Sequence, residues 1–214
     1  MSNIDGIIFE RYGKNITVDS ESAEYMLEFN KGEEYFSNIP SYTRFITACE
    51  KVVRGNQRYS NYKSILVNKV KLDHCQVLSN LKLDGESGKD IIEMHHGPIF
   101  TLYDICEIVL QYFRKKKWPI TTMSIADAVL TEHEKNRVQV VMLCSSVHEL
   151  VHNGSVFLNL DQGYGRLDLF IDKYIDVFPE YIKEKYNRYM DRSILFDSND
   201  FNSLEINQKI FKIQ

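Results

Sequence analysis

Residues 137–154 read RVQVVMLCSSVHELVHNG, and this stretch decides how the chain folds around its most distinctive side chains. The β-branched run at 137–143 predicts a strand. The following part places His148 and His152 four residues apart, which predicts a short helix over 146–153 with both imidazoles on one face. Asn153-Gly154 is typical of a helix end. A strand that leads directly into a helix therefore presents two histidines on the same side.

A second histidine pair ends another predicted strand, which reads IIEMHHG at residues 91–97. Successive side chains of a strand point to opposite faces, so His95 and His96 take different directions. A strand–turn–helix arrangement would bring His95 to the two helical histidines. Three neutral imidazoles suit Zn²⁺, Ni²⁺ or Co²⁺ and leave one position open for water or a phosphate oxygen. We therefore predict a metal site here, with Glu93 as a carboxylate partner of one of its histidines.

These two stretches, together with CQVLSN at 75–80, resemble the HNH (ββα-metal) endonucleases, in the style of their phage-encoded members. The resemblance covers residues 75–154. It implies that His96 activates water as a general base, and that Gln139, or Asn136 in a shifted register, stands where the family has its middle Asn. It also implies hydrolysis of DNA phosphodiester bonds, by an endonuclease or nickase, with a divalent cofactor (Mg, Mn, Zn or Ni). The metal ligands that it implies are His95, His148 and His152.

Departures from the HNH pattern keep two other functions open. The Cys-x-x-Cys knuckles are absent, and 43 residues separate His96 from Gln139, so two predicted helices form an insertion between the strands. The long insertion, together with Gln139 in place of the family's Asn, favours a catalytically inactive HNH-like viral module that regulates or assembles by binding nucleic acid or protein. A structural zinc domain that acts only through protein contacts is the other alternative.

The charge is unevenly distributed along the chain. The net charge is −4, yet residues 41–71 carry seven bases against Glu50 alone, a local net of +6. Such a segment can hold a phosphate-binding face, although an ordinary solvated helix face has the same composition. The cluster at 114–117 allows the same two interpretations. The predicted nucleic-acid-binding residues are Arg54, Arg58, Lys63, Arg114, Lys115 and Lys116.

Composition predicts a cytoplasmic protein, in the host cytoplasm if it is viral. No apolar run reaches the roughly 18 residues of a membrane helix, and the start has no basic-then-apolar signal pattern. The four isolated cysteines indicate reduced core residues, since none belongs to a Cys-x-x-Cys pair. The predicted partners are nucleic acid, with DNA favoured, and either a second copy of the chain or a host or phage protein, with no membrane.

The predicted fold class is α+β: a ββα-metal centre with a helical insertion and flanking helices. The expected elements are two strands around a Gly13-Lys14-Asn15 turn, a hairpin over 73–95, and helices at 20–36, 41–54, 59–69, 100–116, 122–135, 166–177 and 179–190. The expected division is 1–40, an acidic extension; 41–72, a basic helical segment; 73–155, the HNH-like core; 156–192, a helical pair; and 193–214, a tail.

Overall fold

A small antiparallel hairpin near the amino terminus is the first feature of the computed structural model, which describes residues 8–11, 14–17, 31–78 and 91–197. Strand β1 (Ile8–Arg11) pairs with β2 (Lys14–Thr17), as the sequence predicted. Lys14 and Asn15, predicted to lie in the turn, belong to the second strand instead. Most of the acidic helix expected at 20–36 lies outside the described residues.

Five helices build the helical part, and short polar side chains cap the amino-terminal ends of all but the first. Asn38 accepts a hydrogen bond from the Ser41 backbone N–H, while Thr101 and Thr121 each begin a helix with a reciprocal capping box. The predicted helices at 41–54, 59–69, 100–116 and 122–135 are therefore confirmed to within a few residues. The bounds are α1 (Glu33–Ser37), α2 (Ile39–Gly55), α3 (Gln57–Asn68), α4 (Leu102–Lys116) and α5 (Thr122–Glu134).

The central sheet pairs β3 (Ile92–His96) with β4 (Val140–Cys144) in antiparallel register, so that His95 lies opposite Val141. Helix α6 (Ser145–His152) begins at the residue after β4. The hairpin predicted over 73–95 differs from this arrangement, because the described partner of β3 is β4. Residues 75–78 approach β4 through Gln76, whose side-chain Oε1 accepts from the Met142 N–H at 2.6 Å. The predicted loop at 84–88 lies outside the described residues.

The carboxyl-terminal helices pack back onto the helical part through aromatic and polar contacts. Helix α7 (Leu167–Tyr174) leads through a 3-10 turn at Ile175–Val177 to α8 (Glu180–Asp197). Lys185 on α8 donates to the buried carboxylate of Asp104 at 2.6 Å. The predicted helical pair is therefore confirmed, with a 3-10 turn in place of the last part of its first helix.

One hydrophobic cluster runs from Phe36 to Ile182 and takes side chains from the helices and from both strands of the central sheet. All four cysteines are buried in it, as expected from their isolated positions. A helix-rich fold with a small antiparallel sheet is an α+β arrangement, which confirms the predicted class at this level. The five-part division stays a prediction. Within the described residues, no helix combines the length and apolarity needed to cross a bilayer.

Candidate metal centre

The alternation of β3 sorts its polar side chains onto two faces. Glu93 and His95 are two residues apart and share one face, while His96 points to the other. Helix α6 follows β4 without a linker, and its first two turns carry His148 and His152 over the Glu93 face. The periods of a strand and a helix therefore bring residues about fifty positions apart into one place.

Three imidazoles converge at this place, as the sequence predicted. The ring centroid of His95 lies 5.0 Å from that of His148 and 5.2 Å from that of His152. One ligand atom from each of the three residues can be chosen so that all lie within 4.8 Å of one another. We call these three residues the histidine cluster. The group is a candidate metal centre among the described residues.

The carboxylate of Glu93 orients one ring of the histidine cluster. Its Oε2 accepts a hydrogen bond from His148 Nδ1 at 2.5 Å. The proton on Nδ1 leaves the lone pair of the neutral ring on Nε2, which faces Nε2 of His152 at 3.0 Å. The histidine that Glu93 contacts as its carboxylate partner is therefore His148.

His95 forms the buried end of the cluster, with 9% of its surface exposed, whereas His152 is exposed. Burial lowers the pKa of His95 to about 4, and the neighbouring His148, His152 and Lys185 act in the same direction. A neutral imidazole with a free lone pair is the form that binds a metal. A Cβ at Gly97 would lie 3.0 Å from Cδ2 and Nε2 of this ring, so the ring rests on a residue without a side chain.

His96 lies away from the cluster, in the core. Its Nε2 is 2.9 Å from Nε2 of His133, and its ring stacks on Tyr59 at 6.0 Å. His133 donates from Nδ1 to the Val129 carbonyl at 2.8 Å, so its Nε2 accepts the proton of His96. Burial lowers the pKa of both rings, that of His133 to about 4. A ring closed off in this way has no access to a water molecule at the cluster, contrary to the role implied by the HNH resemblance.

His133 belongs to no motif in the sequence, although it is one half of this buried pair. Its side chain is 0% exposed. The signal that could have identified its partner is weak, because 37 positions separate His133 from His96. Residues so far apart, on a strand and on a helix, share no periodic pattern from which their contact could be predicted.

Gln139 precedes β4 and serves the packing of the loop that follows α6. Its Nε2 donates to the Leu160 carbonyl at 2.7 Å, and a Cβ at Gly163 would lie 2.4 Å from its side chain. Its buried Oε1 has no hydrogen-bond partner in the described part of the chain. The side chain of Gln139 is therefore held by residues 160–163. These contacts do not include a histidine, which the middle residue of the HNH motif would orient.

Several cations predicted to contact nucleic acid form ion pairs within the molecule. Arg58 reaches Asp127 at 2.5 Å and Glu134 at 2.7 Å, both on α5. Arg114 pairs with Glu33. Longer pairs join Arg54 to Glu50 at 3.7 Å and Lys115 to Asp176 at 3.6 Å, and Lys116 lies over the ring of Tyr112 at 5.5 Å. Binding of nucleic acid by these residues and by Lys63 stays a prediction.

The family of the chain is given by a match over nearly all of its length. Residues 3–214 match the model of the bacteriophage G278-like virion protein family, and the chain belongs to that family. No curated protein and no solved structure is significantly similar to it.

This membership corrects the interpretation drawn from the histidine motif. The identification as an HNH nuclease was wrong, and so were the endonuclease or nickase function and the hydrolase class, because the family is one of virion proteins. The phage origin indicated by the same motif is supported. The motif therefore identified a set of converging side chains correctly and the reaction incorrectly.

Proposed function

We propose that this chain is a structural or assembly component of a phage particle. The observation that carries the proposal is the match of residues 3–214 to a virion protein family. This role corresponds to the non-catalytic assembly module that the long insertion and Gln139 favoured in the sequence. A virion role requires a stable surface for other proteins and no chemical step.

The proposed partners are other proteins of the particle. The internal pairing of Arg58 with Asp127 and Glu134, and of Arg114 with Glu33, supports this choice. Charges that are neutralised within the molecule release fewer counterions on binding DNA, so they contribute less to its affinity. The small unit of β3, β4 and α6, with helices α4 and α5 inserted between its strands, would then serve as a scaffold.

The amount of this chain in purified particles tests the proposal. Particles of the phage that encodes the chain are banded on a density gradient, washed in high salt and quantified by mass spectrometry. We expect a fixed copy number relative to the major capsid protein. A phage-encoded DNA replication protein from the same infection is the control and should be lost. Abundance in the lysate with absence from both particles and assembly intermediates would overturn the proposal.

A further inference from the structure

We propose that His95, His148 and His152 bind one divalent transition-metal ion, with Zn²⁺ as the best fit, and that this ion fastens helix α6 to strand β3. Nothing in the family description assigns such a site. The proposal is independent of the role in the particle, since it concerns the folded chain alone.

The donor geometry is the first argument. Zinc–nitrogen bonds of 2.0–2.1 Å in a tetrahedral site place neighbouring nitrogens about 3.3 Å apart. The Nε2 atoms of His148 and His152 are 3.0 Å apart, and His95 completes a set of donors within 4.8 Å. Metal binding in this geometry requires the three nitrogens to close from within 4.8 Å to about 3.3 Å. The three donors occupy three corners of a tetrahedron and leave the fourth to water.

The surroundings of the histidine cluster are the second argument. A ligating histidine usually gives its other ring proton to a carboxylate or a carbonyl, which fixes the ring and raises its basicity. Glu93 does this for His148 at 2.5 Å. The same carboxylate supplies a negative charge beside three neutral rings, where a divalent ion would otherwise lie among uncharged groups.

The gradient of burial is the third argument. His95 is buried at the bottom of the cluster, His148 is half-buried and His152 is exposed. An ion can therefore enter from the solvent beside His152 and reach the buried His95 last.

The ligand set also determines the chemistry of the ion. Imidazoles suit zinc, nickel, cobalt and copper, whereas magnesium and calcium require oxygen donors and keep much of their water. The cluster supplies no carboxylate oxygen directly, since Glu93 is engaged by His148. We therefore expect Mg²⁺ not to compete with Zn²⁺.

Helix α6 is the element that the ion would stabilise. It has eight residues, and its N-cap residue Cys144 makes no side-chain capping bond. Helices of this length are marginal without tertiary contacts. Two ligands from α6 and one from β3 make the ion a crosslink between the helix and the sheet.

Metal titration of the untagged full chain tests the proposal. The protein is first stripped with EDTA, and Zn²⁺ binding is then measured by calorimetry, with Co²⁺ absorption as a report on four-coordinate geometry. We expect one Zn²⁺ per chain, and a loss of affinity of at least about 100-fold in His148→Ala and in His152→Ala. His74→Ala removes a histidine outside the cluster and should keep the wild-type affinity.

His152→Ala is the safest variant, because this residue is exposed at the end of α6 and its loss leaves the core unchanged. Circular dichroism of each stripped variant verifies the fold. Absence of stoichiometric Zn²⁺ binding by the folded wild type would overturn the proposal. Undiminished affinity in the folded double variant of His148→Ala and His152→Ala would also overturn it.

Discussion

Glu93 on β3 accepts a hydrogen bond from Nδ1 of His148 on α6, with 2.5 Å between Oε2 and the nitrogen. This contact joins a strand and a helix that are 55 residues apart, and it selects the tautomer of the histidine that faces His152. The carboxylate therefore acts on the proposed metal site through His148 and is a positioning residue.

Replacing Glu93 separates the charge of this contact from its geometry. In Glu93→Gln the side-chain oxygen can still accept from His148, but the negative charge beside the ion is lost. We expect Zn²⁺ affinity to fall about tenfold in Glu93→Gln and up to about 100-fold in Glu93→Ala, within the range measured for such outer partners of ligating histidines. Calorimetric titration of the stripped proteins provides the measurement. Equal affinity in all three proteins would show that Glu93 does not orient His148.

A methyl group at Gly97 tests the position of His95 from the backbone side. The added Cβ would lie 3.0 Å from the His95 ring, so that the ring must move by a few tenths of an ångström. We expect Gly97→Ala to lower the free energy of unfolding by about 1–3 kcal/mol, the usual cost of overpacking, and to weaken Zn²⁺ binding as well.

Gly55→Ala is the matched control for Gly97→Ala. Gly55 ends α2, and a Cβ there would have no heavy atom within 4 Å. Because Ala favours a helix by up to about 1 kcal/mol over Gly, this substitution should be neutral or slightly stabilising. Urea unfolding gives both free energies. The assignment would be wrong if both variants unfolded at the wild-type midpoint and bound Zn²⁺ equally well.

The convergence of His95, His148 and His152 could be predicted because all but one of the structural features behind it are local. The strand period separates His95 from His96, the helix period unites His148 with His152, and α6 follows β4 directly. The one step that local patterns do not determine is the pairing of β3 with β4.

Two features could not be predicted, for the same physical reason. The carboxylates that pair with Arg58 lie 69 and 76 positions away, so a count of charges over residues 41–71 could not include them. The burial of His96 against His133 likewise depends on the packing of α5 over the sheet. The prediction of nuclease function was wrong for a different reason. Three converging imidazoles specify a ligand geometry, and many unrelated proteins use that geometry.

The buried pair of His96 and His133 makes stability depend on pH. The pKa of His133 is about 4 in the folded chain against an ordinary value of 6.5, so the unfolded chain binds more protons between these values. The free energy of unfolding is therefore highest above about pH 6.5, where the ring is neutral in both states, and it decreases as the pH falls toward 4. The difference corresponds to about 3 kcal/mol for this ring, and His96 acts in the same direction.

Urea unfolding of the metal-free protein from pH 7.5 to 4.5 measures this dependence, with EDTA present so that proton competition at the metal site does not contribute. We expect His133→Gln to reduce the loss of stability on acidification, even though its stability at neutral pH is lower than that of the wild type. A variant curve parallel to that of the wild type over the whole interval would exclude His133 as a source of the acid sensitivity.

Arg58 has a structural role that can be separated from any contact with nucleic acid. Its guanidinium donates to Asp127 at 2.5 Å and to both oxygens of Glu134 at 2.7 Å, and its side chain is 22% exposed. A forked pair with low exposure contributes more than an isolated surface pair. We expect Arg58→Ala to lower the free energy of unfolding by about 1–2 kcal/mol, and Arg58→Lys to recover only part of it, since an ammonium cannot engage both carboxylates in the same plane.

Arg54→Ala is the matched control for the Arg58 variants, because Arg54 lies nearby at the end of α2. Its side chain is 54% exposed, and its pair with Glu50 is 3.7 Å long. Exposed pairs of this kind contribute little, so the change should stay within about 0.5 kcal/mol. Urea unfolding at low and high salt compares the variants. Equal losses in Arg54→Ala and Arg58→Ala would mean that the fork to α5 stabilises the fold no more than the exposed pair of Arg54 does.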